Sequence, residues 1–467
     1  MAMEMDMDMA VPGVRMLSVS RVVPTPTPEE NVKKAVKLSF LDAPWVATPP
    51  VQELMFYENA GGEEFAAVVK RLKASLAAAL ALYLPLAGEM AYVEETRDMV
   101  VDCSRPGVPF FEAEAIAGCG SAVEMASLLP EHDARALPAP VMAVQVTRLN
   151  AGGLVLGVSV HHAVVDGRAF FLFLDAWSSI SRGGSPPVPL MKPLAPLEYG
   201  REAIAHPYAG GADDIRTLKR HIDGLAPLTN NTTKVAPKPV SAFVALSAIS
   251  WTAFVRAKGL AAGEDTHLLF QVDLRSSLRP AVSDGYIGNC VRGCVASADA
   301  GELVGDAGLL RATRAIQAAV RKVVAAPMAG IGTWIQRVMA LPAGRVANVG
   351  GSPMFRMHQL ADFGFGMPDK VVPVYMPGSP ETTPGRVDDM TMDHGGRIVL
   401  SAGKRDGEVH LSVSLHPDLM DAFKNHINST RIIRLLNLWS VADSKDRGGM
   451  RSTRKWYLLV DRSALTS

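Results

Sequence analysis

The sequence predicts a mixed α/β chain of two comparable domains, and three observations predict it. At 467 residues the chain is too long for one ordinary core and suits two domains of about 200 residues each. Runs of strand formers alternate with stretches whose apolar residues recur at the helical period. Midway, SRGGSPPVPLMKPLAPLEYG breaks all periodicity with Gly, Ser and Pro.

The elements follow in order. Residues 1–13 alternate Met with acids and read as a disordered leader. VRMLSVSRVVPT, from Val14, has the β-branched character of an edge strand. KAVKLSFLDAPWVATPPVQELMFYE reads as strand, turn and strand, with Pro at the loop positions. Phe65, Val68, Val69, Leu72, Leu76 and Leu80 then give the stripe of a helix lying on a core, which Pro85 ends. Strands and helices alternate onward to residue 181. Residues 182–240 read as a crossover linking the domains, since structureless stretches longer than about 15 residues are usually linkers or functional loops. Beyond it SAFVALSAISWTAFVRAKG reads as helix, HLLFQVDLRSS as strand and LLRATRAIQAAVRKVVAAP as helix. The domains therefore span 14–181 and 241–424.

Composition narrows the function classes. Hydrophobic residues make up 48%, charged residues 20%, and the formal net charge is zero, the profile of a globular enzyme. Neutrality of the whole chain argues for no nucleic-acid and no membrane partner. Cys103, Cys119, Cys290 and Cys294 read as reduced thiols, because the close pair Cys290 and Cys294 lacks the second pair of a zinc site. No metal is expected. The N-terminus has neither a basic leader nor an apolar stretch, so a cytosolic location follows.

The chemistry concentrates in GGLVLGVSVHHAVVDGRAFFLFLDAW. Leu154 to Val160 are strand formers, His161 and His162 follow directly, and Asp166-Gly167 opens a helix with Asp166 at the N-cap. A histidine where a strand gives out is well placed as a general base, because its ordinary pKa of about 6.5 leaves a large neutral fraction at cytosolic pH. The same residues also read as a strand-end pair satisfied by backbone carbonyls, with Asp166 a simple cap.

A second motif about two hundred residues later, ADFGFGMP, carries Asp362, Phe363, Gly364, Phe365 and Gly366. Together HHAVVDG and DFGFG resemble the paired signatures of the plant BAHD acyl-CoA-dependent acyltransferases, His-x-x-x-Asp-Gly and Asp-Phe-Gly-Trp-Gly. LSFLDAPWVATPPVQELMFYE, LYLPLAGEM and DLRSSLRPAVSDGYIGNC resemble further stretches of that family. YIGNC, HHAVVDGR and LHPDLMDAF most resemble the branch that acylates flavonoid or phenolic glucosides. Two positions depart: Phe365 stands for the motif tryptophan and Ile287 for a phenylalanine. Residues 425–467 match nothing in the family. That basic tail, without periodicity or caps, reads as a native extension or as translated non-coding sequence, with the second reading favoured.

The resemblance implies two similar chloramphenicol-acetyltransferase-like domains, each a mixed sheet flanked by helices, with a central solvent channel. It implies His162 as general base in direct acyl transfer from acyl-CoA, a co-substrate, with no cofactor. Asp166 would pair with Arg275 to hold the loop. Gly167 and the DFGFG residues would be structural, with Asp362 capping its own turn and Gly364 and Gly366 taking positive φ. Arg168 would meet a malonyl carboxylate, Ser241 the pantetheine arm, and Tyr286 and Asn289 substrate or CoA. Lys234, Lys238, Arg256 and Lys258 are the candidate phosphate partners. Malonyl-CoA is the favoured donor, a flavonoid, anthocyanin or phenolic glucoside the acceptor, and a monomer the expected state. A hydroxycinnamoyl transferase acting on another phenolic or amine acceptor, a condensation-type domain and a catalytically silent binding relative are the competing readings.

Overall fold

The computed structural model describes residues 13–27, 35–46, 48–58, 62–116, 122–133, 136–150, 152–184, 240–374, 395–405, 408–429, 436–441 and 454–459. The leader up to residue 12, most of the crossover, Cys119, Lys234 and Lys238 lie outside the described residues. The chain divides into two units. One comprises Met1–Glu202, Arg279–Cys290 and Met357–Gly378; the other comprises Ala203–Leu278, Val291–Arg356 and Ser379–Ser467.

The first unit is built on a six-stranded mixed sheet in the order Val14–Val22, Val108–Ala115, Met142–Arg148, Leu154–Val160, Val51–Tyr57 and Lys370–Val374. Val14–Val22 stands at the edge, in keeping with its exposed Val19. The helices Phe65–Leu82 and Gly167–Ser181 pack together, and Leu72, Leu76, Phe170, Phe173 and Trp177 join one core with Met55, Leu156 and Val158 from the sheet. A four-stranded antiparallel sheet, Ala35–Lys37, Asp98–Asp102, Glu89–Val93 and Ala139–Pro140, completes the unit. The strands Ala35–Lys37 and Val51–Tyr57, which read along the sequence as a strand pair, thus belong to different sheets.

The second unit holds a seven-stranded sheet in the order Val291–Asp299, Asp265–Asp273, Val346–Ser352, Gly396–Ala402, Val409–Leu415, Arg454–Leu459 and Leu436–Val441. Its helices include Ala242–Lys258, Gly308–Ala325 and Pro417–Ser429.

Two findings differ from the sequence reading. The domains are not contiguous: residues 279–290 and 357–378, the latter carrying DFGFG, belong to the first unit. The cause is pairing and burial, because Lys370–Val374 hydrogen-bonds to Val51–Tyr57 and Phe363 and Phe365 enter the first unit's core. The tail also contains regular structure: Leu436–Val441 and Arg454–Leu459 pair antiparallel, and the latter continues the ladder of Val409–Leu415. Backbone pairing on an existing edge supplied what the tail's own sequence does not advertise.

Candidate active site

The strand Leu154–Val160 is buried along its whole length, and it ends directly before His161 and His162. His161 is buried; its N–H donates to the Val141 carbonyl at 2.7 Å, and its Nδ1 accepts from Ala163 N at 3.2 Å. His162 is half-buried. Its ring stacks on the indole of Trp45, with centroids 4.1 Å apart and planes 10° from parallel.

Trp45 sits on a single 3₁₀ turn, Ala43–Trp45, that follows Asp42. Asp42 is buried and accepts from the Ser39 N–H at 2.8 Å, from the Asn289 N–H at 2.8 Å and from Asn289 Nδ2 at 3.0 Å. Asn289 Nδ2 also donates to the His162 carbonyl at 2.8 Å. The general-base candidate is therefore gripped twice, at its ring by Trp45 and at its backbone through Asn289, and both grips lead back to Asp42. Burial pushes the Asp42 carboxyl above its ordinary range, while the hydrogen bonds from Ser39 and Asn289 pull it back.

Asp166 is buried and caps the helix Gly167–Ser181, accepting from Ala169 N at 2.9 Å. Its other oxygen accepts from Cys290 N at 3.0 Å, joining the loop after His162 to the segment 279–290. These two contacts tie the loop to the helix start and to the segment 279–290. Gly167 begins the helix. Arg168, in its first turn, forms an ion pair with Asp284 at 3.0 Å and donates from Nε to the Asp284 carbonyl at 3.3 Å. Asn289, expected to face substrate or CoA, spends both hydrogens of its side-chain amide on Asp42 and His162. Tyr286 lies in the same segment, and the ring crowds Gly288: a Cβ there would lie 2.7 Å from the phenol oxygen.

Two residues before the histidine pair, Ser159 is fully buried and faces His132, whose Nδ1 lies 2.8 Å from its Oγ. His132 Nε2 lies 2.7 Å from the Pro140 carbonyl, so the ring donates from Nε2 and accepts from Ser159 at Nδ1. Burial is the main cause holding the His132 pKa below its ordinary value.

The DFGFG turn is assembled in the same unit. Asp362 Oδ1 accepts from Gly364 N at 2.9 Å and Gly366 N at 3.1 Å, and both glycines take positive φ, 97° and 100°, which a Cβ would resist. Phe363 meets Trp177 edge-on at 4.7 Å, Phe365 meets Tyr57 edge-on at 4.7 Å, and the Arg71 guanidinium lies 5.4 Å above Phe365. Tyr57 donates to the Ala361 carbonyl at 2.6 Å and Ser181 to the Phe363 carbonyl at 2.7 Å. The Arg182 guanidinium donates to the Asp362 carbonyl. Among the described residues these polar contacts fall within the unit, and they brace the strand Val51–Tyr57 and the helix Gly167–Ser181.

Ser241 and Arg275 belong to the second unit. Ser241 caps the helix Ala242–Lys258, accepting from Val244 N at 3.2 Å. Arg275 is buried, and its Nη1 lies 3.3 Å from Asp273 Oδ2. The pairing of Asp166 with Arg275 implied by the resemblance would join residues of different units.

Trp45, Asp42, Ser39 and His132 were not singled out by the sequence reading. SFLDAP held a signal for two of them: Ser39 and Asp42, three residues apart before a proline, form a local side-chain-to-backbone motif. The contacts of Trp45 and Asn289 are made across more than a hundred residues and leave no local trace.

Comparisons with known proteins agree with this fold. A family model described as the Transferase family matches residues 14–205 and 213–430. A phenolic glucoside malonyltransferase from Bemisia tabaci is 28% identical over 409 residues, which cover 76% of this chain and 87% of the relative. A hydroxycinnamoyl-CoA:5-hydroxyanthranilate N-hydroxycinnamoyltransferase from Avena sativa is 29% identical over 401 residues, 76% of this chain and 86% of the relative. Among solved structures, vinorine synthase superposes with a TM-score of 0.65 at 20% identity, covering 89% of this chain and 98% of that one. F. sporotrichioides TRI101 complexed with coenzyme A and T-2 gives 0.62 at 17% identity, covering 85% and 98%.

Proposed function

Because this chain is an acyltransferase of the BAHD family, we propose that it moves an acyl group from coenzyme A to a hydroxyl of a phenolic or flavonoid glucoside, with His162 as the general base. The observation that carries this reading is the double grip on His162, whose ring lies flat on Trp45 and whose carbonyl is held by Asn289. A base fixed at a strand end can meet the acceptor hydroxyl in one orientation, and positioned proton transfer of this kind contributes about 10² to 10⁴ in rate.

The imidazole takes the hydroxyl proton as the oxygen attacks the thioester carbonyl. The C–O bond forms, the carbonyl pair moves to oxygen, and the tetrahedral intermediate collapses with loss of the CoA thiolate. The imidazolium returns its proton to that sulfur. No covalent acyl-enzyme is formed, and the histidine ends as it began. Asp166 serves as the loop's anchor, since its oxygens are engaged by Ala169 N and Cys290 N.

Malonyl-CoA is the preferred donor in this reading, supported by relatives that include phenolic glucoside and anthocyanin malonyltransferases. A hydroxycinnamoyl donor is the second reading. It is favoured by the Arg168–Asp284 ion pair, with which a malonyl carboxylate would compete, and by the Avena sativa relative. We place the enzyme in the cytosol as a monomer.

The test is release of CoA thiol from malonyl-, coumaroyl- and acetyl-CoA with a cyanidin or flavonol glucoside, for the parent chain and for His162→Ala. Turnover that vanishes in His162→Ala supports the assignment, and the best donor decides between the two readings. Turnover that survives His162→Ala within tenfold of the parent would remove His162 as the base.

A further inference from the structure

Net neutrality of the whole chain conceals a segregated charge distribution. Between Asp306 and Asp362 the sequence contains no acid, yet it carries Arg311, Arg314, Arg321, Lys322, Arg337, Arg345 and Arg356. Four of these cations lie on the helix Gly308–Ala325. Arg311, Arg314, Arg321 and Lys322 are exposed, and their spacing of three, seven and one places them along one face.

The last turn of that helix, the turn after it and the helix Trp334–Met339 each carry an exposed apolar residue. Val324 is 43% exposed, Met328 37% and Ile335 41%. The turn is firmly held from beneath: buried Arg292 donates to the carbonyls of Ala326 at 3.3 Å, Pro327 at 2.5 Å and Ala329 at 2.6 Å. Arg337 Nη2 donates to the Gly330 carbonyl at 2.7 Å, which ties the helix Trp334–Met339, with Ile335, to the same turn. Buried Arg292 thus fixes the turn that carries exposed Met328, directly after the cationic helix.

We propose that the surface of the second unit formed by this acid-free stretch of sequence, with its exposed Val324, Met328 and Ile335, docks on an anionic phospholipid bilayer. Charge complementarity selects an anionic partner, and the aliphatic tips select a lipid surface, where apolar side chains enter the headgroup boundary while arginine and lysine meet phosphates. A nucleic acid would be served by exposed aromatic platforms. The indole of Trp334 is instead laid against Gly293, where a Cβ would come within 1.7 Å of it. Among the described residues no helix is long and apolar enough to cross a membrane, so the contact is peripheral.

The experiment is co-sedimentation of the full chain with phosphatidylcholine vesicles, with and without phosphatidylserine, at low and high salt. Binding to the phosphatidylserine vesicles alone, weakened by salt, is expected. Each cation near such a surface is worth about fivefold in partitioning, so Arg321→Glu with Lys322→Glu lowers binding by at least roughly 25-fold. Ile335→Ser with Met328→Ser lowers it by about tenfold or more. Far-UV circular dichroism and melting temperature, unchanged in these surface variants, separate lost docking from lost fold. Failure to bind either vesicle, or equal binding to both, overturns the proposal. So does retention on single-stranded RNA in place of vesicles. A charge-reversed chain that loses calorimetric binding of coenzyme A, with the parent ignoring vesicles, would assign these cations to the co-substrate instead.

Discussion

The indole of Trp45 covers one face of the His162 imidazole at 4.1 Å, almost parallel to it, although 116 residues lie between them in the chain. An imidazole clamped on one face and fixed by its own backbone has few orientations open, and catalysis is steeply sensitive to such placement. Trp45→Ala is expected to lower kcat by about tenfold to a hundredfold with a smaller change in KM for the donor, and Trp45→Phe to recover part of the loss. Steady-state kinetics check this; an unchanged kcat in Trp45→Ala would show that the stack does not position the base.

Asn289 is the strut between Asp42 and the His162 carbonyl. Asn289→Ala leaves the buried Asp42 carboxylate short of a donor, and such unsatisfied groups cost about 1–3 kcal/mol or more when charged. Urea unfolding should show that loss, together with reduced kcat. The double variant Asn289→Ala with Asp42→Ala should cost less than the sum of the two single changes, because the partners are removed together.

Phe365 stands where the family motif has tryptophan, between the Tyr57 ring and the Arg71 guanidinium. Its burial makes Phe365→Ala a cavity change of about 3–5 kcal/mol, read as a lower denaturation midpoint. The folded fraction should keep the parent's KM for acyl-CoA, because the motif's described contacts brace the fold.

His132 connects pH to the strand that carries His162. Its folded pKa is depressed by burial, so the unfolded chain takes up the proton first as pH falls. Stability from this contact is complete above the ordinary value of about 6.5 and is lost as pH drops through the lower folded value. Melting curves of the parent should therefore fall between pH 7 and pH 5, and His132→Asn should flatten that fall while lowering stability at pH 7. An unchanged slope would show that His132 is not the titrating group.

Much of the site was legible because its signals are local. Seven strand formers, two histidines and an Asp-Gly helix start describe their own geometry within fifteen residues, and Asp362 with Gly364 and Gly366 encodes its own turn. What was not legible depends on distant partners. VVPV, a short run broken by proline, has little strand character alone, and it becomes a strand by pairing with Val51–Tyr57. Trp45 reads as one loop aromatic until His162 is set beneath it. The tail strands likewise exist as the extension of a ladder that Val409–Leu415 already offers. Averaging charge over the whole chain removed the contrast that the acid-free segment carries.

The return of Lys370–Val374 to the first sheet also sets a timetable for synthesis. When Tyr57 leaves the ribosome, the strand it ends must wait for about 310 more residues before its outer neighbour exists; at about 5–20 residues per second that is roughly 15 to 60 s. Through that interval one edge of Val51–Tyr57 has unfilled hydrogen-bonding positions, and the face of Tyr57 later covered by Phe365, joined once it is made by the face of Trp177 later covered by Phe363, stays open to water. A nascent chain in this state offers a strand edge and an aromatic surface at once, the features that chaperones bind and that drive aggregation. Yield on overexpression should accordingly respond more to slowed translation and chaperone supply than to changes at the mature surface.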